Sequence, residues 1–384
     1  MQSKIAALLL CLAVVPLTGY AEGNSNWLEA DSMTGSWGGV RDSMEEQGVT
    51  AEFVYTGESV RNFSGGAFNR AGSTYQDNLD LMLTVDSEKL GMWSGGTLFV
   101  HGLRTNGGDP SAMLIGDLQT ASNIEAPNQF IVHQAWYEQQ FMDGQLAILA
   151  GLHDLNSDFY ASEYGGLFLN SSFGIGPDVS GNVATSLFPK AALGVRIKIQ
   201  PAEGFYLQGA VYDGDPSTRK MNTTEGKMFI AEAGVSVADG SYKVGYWQHT
   251  ANITTASGAV YRSDYGLYGV VDQPLLELQN GSKIGAFMQY GWVPASRNDS
   301  VTAYVGGGVH VQGLMPSRAD DELGLAIARA STHLSAETTL EFTYHAVLTP
   351  WLALQPSFQL IDNPGGDAAI RTAKVGLLRF EVSL

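Results

Sequence analysis

The sequence predicts an all-β protein: an antiparallel transmembrane β-barrel of sixteen strands, preceded by one short helix. Three observations predict it. The chain opens on an export-type leader, yet no later run of 18 apolar residues could cross a bilayer as a helix. It holds 46 Gly, 16 Tyr, 16 Phe and 7 Trp, a composition rich in strand formers and aromatics. Its segments alternate apolar and polar residues with period two, which suits strands whose two faces meet lipid and water.

Residues 1–21, MQSKIAALLLCLAVVPLTGYA, carry Lys4, then an apolar core, then Gly19 and Ala21, the pattern of a secretory signal peptide. The only cysteine, Cys11, lies within it and follows Leu10, whereas a lipid-modified cysteine needs a small residue before it. Cleavage after Ala21 leaves a chain without cysteine, which excludes the small disulfide-stapled secreted folds. The formal charge of −18 becomes −19, because only Lys4 is lost and 20 basic residues then face 39 acidic ones. Such acidity argues against nucleic acid as a partner.

Residues 22–50 form the next segment. Within MTGSWGGVRDSMEEQGV, Trp37, Val40 and Met44 recur at helical spacing, Ser36 suits an N-cap, and Gly48 suits a left-handed C-terminal position. A helix over 37–47 with those three apolar residues buried is expected.

From residue 51 to 384 the period-two reading yields sixteen strands. They lie near 51–61, 76–86, 97–104, 129–141, 145–152, 191–200, 205–212 and 228–237, then 242–249, 264–272, 283–292, 302–312, 321–330, 339–348, 351–360 and 370–384. LGVRIKIQ is the clearest case: Leu193, Val195, Ile197 and Ile199 point one way, and Arg196, Lys198 and Gln200 the other. Alternation is ambiguous at 97–104 and 321–330. Short turns such as 142–144 and 201–204 alternate with longer loops such as 105–128 and 153–190, the asymmetry of a bacterial outer-membrane barrel. A soluble sandwich or propeller would also alternate, but the chain ends on LLRFEVSL, whose Leu378, Phe380, Val382 and Leu384 form an apolar stripe.

Blocks spread over nearly the whole chain resemble the OprB family of carbohydrate-selective porins. They include TGSWGGVRDSMEEQGV, QAWYEQQF, AGLHDLNSDF, NSSFGIGPD, FPKAALGVRI, YGLYGVVDQPL, GLMPSRADDELGLAIARA and VGLLRFEVSL. The resemblance implies a 16-stranded antiparallel transmembrane β-barrel with a short N-terminal periplasmic helix. It also implies loops that fold inward to a constriction passing monosaccharides such as glucose, in the outer membrane of a Gram-negative bacterium. Small sugars and membrane lipid are then the partners, with monomer and trimer both open.

A sugar presents polar edges and weakly apolar faces, so its passage calls for charged groups and aromatic rings. The 105–128 loop carries Asp117 and Glu125, and Arg104 precedes it. The resemblance sets this loop near the neck, where Arg104 is expected to face Glu125. The 38-residue loop from His153 to Lys190 is long enough to be functional in its own right. Trp136 and Glu138 share a strand face, and Arg196 and Lys198 share another, so these four join the candidate constriction.

Other patterns carry no chemistry. YVGGGVHVQG lacks the Lys-Ser/Thr ending of a phosphate loop, and its glycines suit a bend or close packing. His-Glu-x-x-His and Gly-x-Ser-x-Gly are absent, so no enzyme, cofactor or metal is expected. Trp93, Trp247, Trp292 and Trp351 fall near strand ends and read as membrane-interface anchors. A general diffusion porin without sugar preference is the alternative function.

Overall fold

A computed structural model describes residues 27–222, 224–298 and 300–384. The expected signal peptide, residues 1–21, lies outside these described residues.

Sixteen strands close into one barrel. In chain order the first nine are β1 (Val49–Ser64), β2 (Gly72–Asp86), β3 (Gly96–Asn106), β4 (Gln129–Phe141), β5 (Leu146–His153), β6 (Ala192–Ala202), β7 (Phe205–Asp213), β8 (Lys227–Val237) and β9 (Gly240–His249). After a two-residue hairpin, β10 (Ile253–Thr254) with β11 (Val260–Tyr261), come β12 (Asp264–Glu277), β13 (Lys283–Trp292), β14 (Ala303–Gln312) and β15 (Glu322–Ser331). The last three are β16 (Ala336–Thr349), β17 (Leu352–Asp362) and β18 (Ala373–Ser383). Every neighbour is antiparallel, and β18 pairs with β1 through Phe380↔Gly57, which closes the ring and leaves no edge. Each expected barrel strand is present, with ends shifted by a few residues. The β10–β11 hairpin lies within a stretch expected to be loop.

The alternation of β6 holds in three dimensions. Ile197 is 48% exposed on the outer face, and Arg196 is 4% exposed on the lumen face. On β15 the outward residues are Leu325 and Ile327, while Gly324, Ala326, Ala328 and Ala330 face inward. Small residues there leave room for Phe168 and Phe173 of the 153–190 loop, which pack against Phe287, Tyr304, Ala326 and Ala328. The glycines of β14 serve the same close packing: a Cβ on Gly308 would lie 2.6 Å from that of Ala326.

The N-terminal helix differs from expectation. It spans Val40–Glu46, Val40 is 50% exposed, and none of its residues is buried. Gly39, at φ 84°, stands at the N-cap position; Ser36 contributes instead by accepting the Gly39 N–H through Oγ at 3.2 Å. The segment is held by directed contacts rather than an apolar face. Arg41 Nη2 donates to the Leu384 carbonyl at 2.7 Å, Trp37 stacks on Phe53, and Met33 N donates to the Ser383 carbonyl. A seven-residue helix is marginal alone, so such anchors decide its position. Gly48 fulfils the expected left-handed role at φ 86°, where a Cβ would lie 2.5 Å from that of Lys89.

Two tryptophans are also corrected. Trp93 and Trp292 are exposed on the outside, but Trp247 is fully buried on the lumen side and Trp351 packs against Trp27. Trp247 follows Tyr246, which faces out, so the pleat turns it inward.

Candidate functional site

Two long loops leave their strand ends and cross the lumen, where their backbone amides need acceptors. Carboxylates on the inner wall supply them. Glu232 on β8 accepts from Tyr160 N at 3.0 Å, and Asp272 on β12 from Tyr164 N at 3.1 Å and Ser162 Oγ at 2.6 Å. Glu341 on β16 accepts from Leu169 N and Asn170 N at 2.8 and 3.0 Å. Glu337, on the same strand, takes Leu118 N and Gln119 N of the shorter loop at 2.6 and 2.7 Å. Charge-assisted bonds of this kind are short and strong. The loops also join each other, Ser171 N to Thr120 O and Asn123 N to Leu169 O.

Apolar packing reinforces this anchoring. Phe159, Tyr160, Ile175 and Val179 of the longer loop lie against Tyr212, Met228, Trp247 and Tyr268. Leu114, Ile115 and Ala121 of the shorter loop lie against Val60, Ile361, Val375 and Leu377. Beside these contacts, β3 to β7 carry polar and aromatic residues on their inner face.

On that face Phe99 and Trp136 stack with ring centres 5.0 Å apart, and Trp136 meets His153 edge-on. Beside them Arg196 bonds Glu138 of β4 across Leu149, the residue that lies between them in the strand register. Its Nε lies 3.2 Å from Asp158 Oδ2 on the longer loop, an ion-pair contact without hydrogen-bond geometry. His153 Nε2 is 3.1 Å from the same oxygen. Burial pushes the Asp158 carboxyl up, but the His153 hydrogen bond and the Arg196 charge outweigh it and hold it below the ordinary range. Lys198 places its ammonium 4.8 Å from the Tyr206 ring centre. On β2 and β3, Asp80 and His101 pair at 2.8 Å.

Trp136, Glu138, Arg196 and Lys198 therefore share one wall. Three other expected site residues do not join them. Arg104 sits opposite Leu79 and Phe130 in the strand register, so its side chain lies on the outer face, 48% exposed, where Nη1 meets Asp77 at 3.1 Å. It is adjacent in sequence to the loop, but strand phase decides its side, and it does not face Glu125. Glu125 braces its own loop, accepting Ser111 Oγ at 2.8 Å and Ser111 N. Burial pushes its carboxyl up to about 7. Asp117 accepts Ala121 N at 2.7 Å, and burial followed by the nearby Glu337 charge pushes it up to about 8.

Asp158, His153, Phe99 and the amide-accepting wall carboxylates were not anticipated. Inward parity on FIAEAGV would have marked Glu232, but its partner depends on the path of a loop far away in sequence.

Comparison with known proteins agrees with this architecture. Porin B of Pseudomonas aeruginosa is 25% identical, over 93% of this chain and 91% of that protein. The high-pH structure of Pseudomonas putida OprB superposes with a TM-score of 0.85 at 21% identity, covering 93% of this chain and 99% of that one. The family model described as carbohydrate-selective porin, OprB family, matches residues 70–384. The chain thus belongs to the OprB family of carbohydrate-selective porins.

Proposed function

We propose that this porin passes small neutral sugars, monosaccharides such as glucose, by passive diffusion through the outer membrane of a Gram-negative bacterium into the periplasm. Removal of residues 1–21 on export is part of the same proposal. The observation that carries it is the wall on which Arg196, paired with Glu138 and close to Asp158, lies beside the stacked rings of Phe99 and Trp136. A guanidinium and carboxylates held in place can exchange hydrogen bonds with vicinal hydroxyls at little ordering cost. The exposed part of Trp136 offers an apolar surface to the sugar ring.

The ion-paired Arg196 also suits a neutral solute, since an unpaired charge in its place would favour ions of one sign. Liposome swelling with glucose, a trisaccharide and a neutral amino acid tests the proposal. Glucose entering far faster than both supports it; equal entry of glucose and the amino acid would instead indicate a general diffusion porin.

A further inference from the structure

At the loop end of the barrel, β1 carries a bulge. Its register with β18 slips between Asn62 and Ser64, so Phe63 is the extra residue. Phe63 points outward with Ser59 and Arg61 by the alternation of β1, and its ring fills the space that a Cβ on Gly376 would need, 2.9 Å away. Arg61 lies on the same outer face opposite Gly376, with its guanidinium carbon 5.4 Å from the Phe63 ring centre. Lys374, two residues from Gly376, is also exposed on that face.

Two like charges on paired strands repel, and no carboxylate among the described residues pairs with either. Asp362 on β17, one strand further, is bonded by Thr372 Oγ1 at 2.8 Å. Directly below, Leu378 is exposed on the lipid face. At the other rim the short turns expose Glu88, Asp143, Glu203, Asp239 and Asp320, with Lys89 beside Glu88.

We infer that Arg61, Phe63 and Lys374 form an outward-facing site for the phosphorylated headgroup of an outer-leaflet glycolipid. Phosphate oxygens bridge the two cations, and an acyl chain runs from Phe63 down past Leu378. A soluble anion would meet the cations but gain nothing from this apolar track, which is why a lipid is the occupant. The inference rests on the outer-membrane reading above, but not on the sugar specificity of the pore.

The test uses the full barrel in detergent, titrated with bisphosphorylated lipid A and followed by native mass spectrometry. Arg61→Gln with Lys374→Gln should weaken retention by about tenfold or more, since basic groups at a membrane surface each contribute to anion attraction. Phe63→Ala should weaken it in part. Arg329→Gln, a rim cation bonded to Thr338 on another strand, should leave retention unchanged. Glucose swelling should be unaffected in all, so failure of the pore proposal would show separately. Unchanged retention in the double variant would overturn the inference. So would an equal loss in Arg329→Gln, or equal retention of dephosphorylated lipid A.

Discussion

Arg196 on the barrel wall and Asp158 on the loop that crosses the lumen stand 3.2 Å apart, and through this pair the wall and the loop define one surface. Arg196 is also bonded to Glu138, so it holds two acids that would otherwise repel each other and any approaching hydroxyl oxygen. Replacing Arg196 with Gln should leave the barrel assembled but raise current noise, because the loop loses its charged tether to β6. Single-channel recording checks this; a trace as quiet as wild type would show that the amide-accepting carboxylates hold the loop unaided.

The assignment of faces is tested by two neighbours. Ile197 points outward and Lys198 to the lumen, and on the proposed outer-membrane reading an arginine at Ile197 would face lipid, which at mid-membrane costs about 2–4 kcal/mol. Ile197→Arg should therefore impair folding into vesicles, measured by heat-modifiable migration, while Lys198→Ala folds normally. Equal yields would invert the strand.

Glu341 takes two loop amides, Leu169 N and Asn170 N. Glu341→Ala leaves both without their acceptor, a loss of about 1–3 kcal/mol for each buried group. Because this falls on the loop and not on the strand ladder, barrel melting should change little while open-channel conductance rises. A conductance equal to wild type would mean the loop stays in place without this anchor.

The shorter loop should respond to pH. Asp117 and Glu125 lie up to about 8 and 7, raised first by burial, with Glu337 near the former and Asp109 near the latter. Their unfolded values are about 4, so between pH 4 and 8 the folded loop binds more protons than the unfolded one. Its stability is therefore full below about pH 4 and declines as pH rises towards 8. Hydrogen exchange of residues 111–125, corrected for intrinsic rate, should show more protection at pH 5 than at pH 8. Asp117→Asn should flatten the difference, and protection that increased with pH would contradict the assignment.

The barrel was legible because lipid and water impose opposite demands on alternate residues, and that demand repeats on every strand. Arg104 was not placed correctly, since adjacency to an acidic loop says nothing about which face a strand-end residue takes. On β4 the difficulty is physical. Val132 opposes Gly102 but Gln134 opposes His101, so His133 is an extra residue and the parity changes within the strand. Phe130 and Val132 face out before the bulge, and Trp136 and Glu138 face in after it. The amide-accepting carboxylates were illegible for another reason: Glu232 and Tyr160 are 72 residues apart and meet only because the loop crosses the barrel.

The proposed movement of sugar along the wall of Trp136, Glu138 and Arg196 is read out by glucose block of ion current in a planar bilayer. Trp136→Ala removes the apolar face and leaves the ion-paired groups, so glucose affinity should fall about five- to tenfold, the range an aromatic contact of this kind supplies. Arg104→Ala, which alters only the outer face, should give wild-type block and wild-type reversal potential. Wild-type block in Trp136→Ala together with weakened block in Arg104→Ala would show that sugar does not follow this wall.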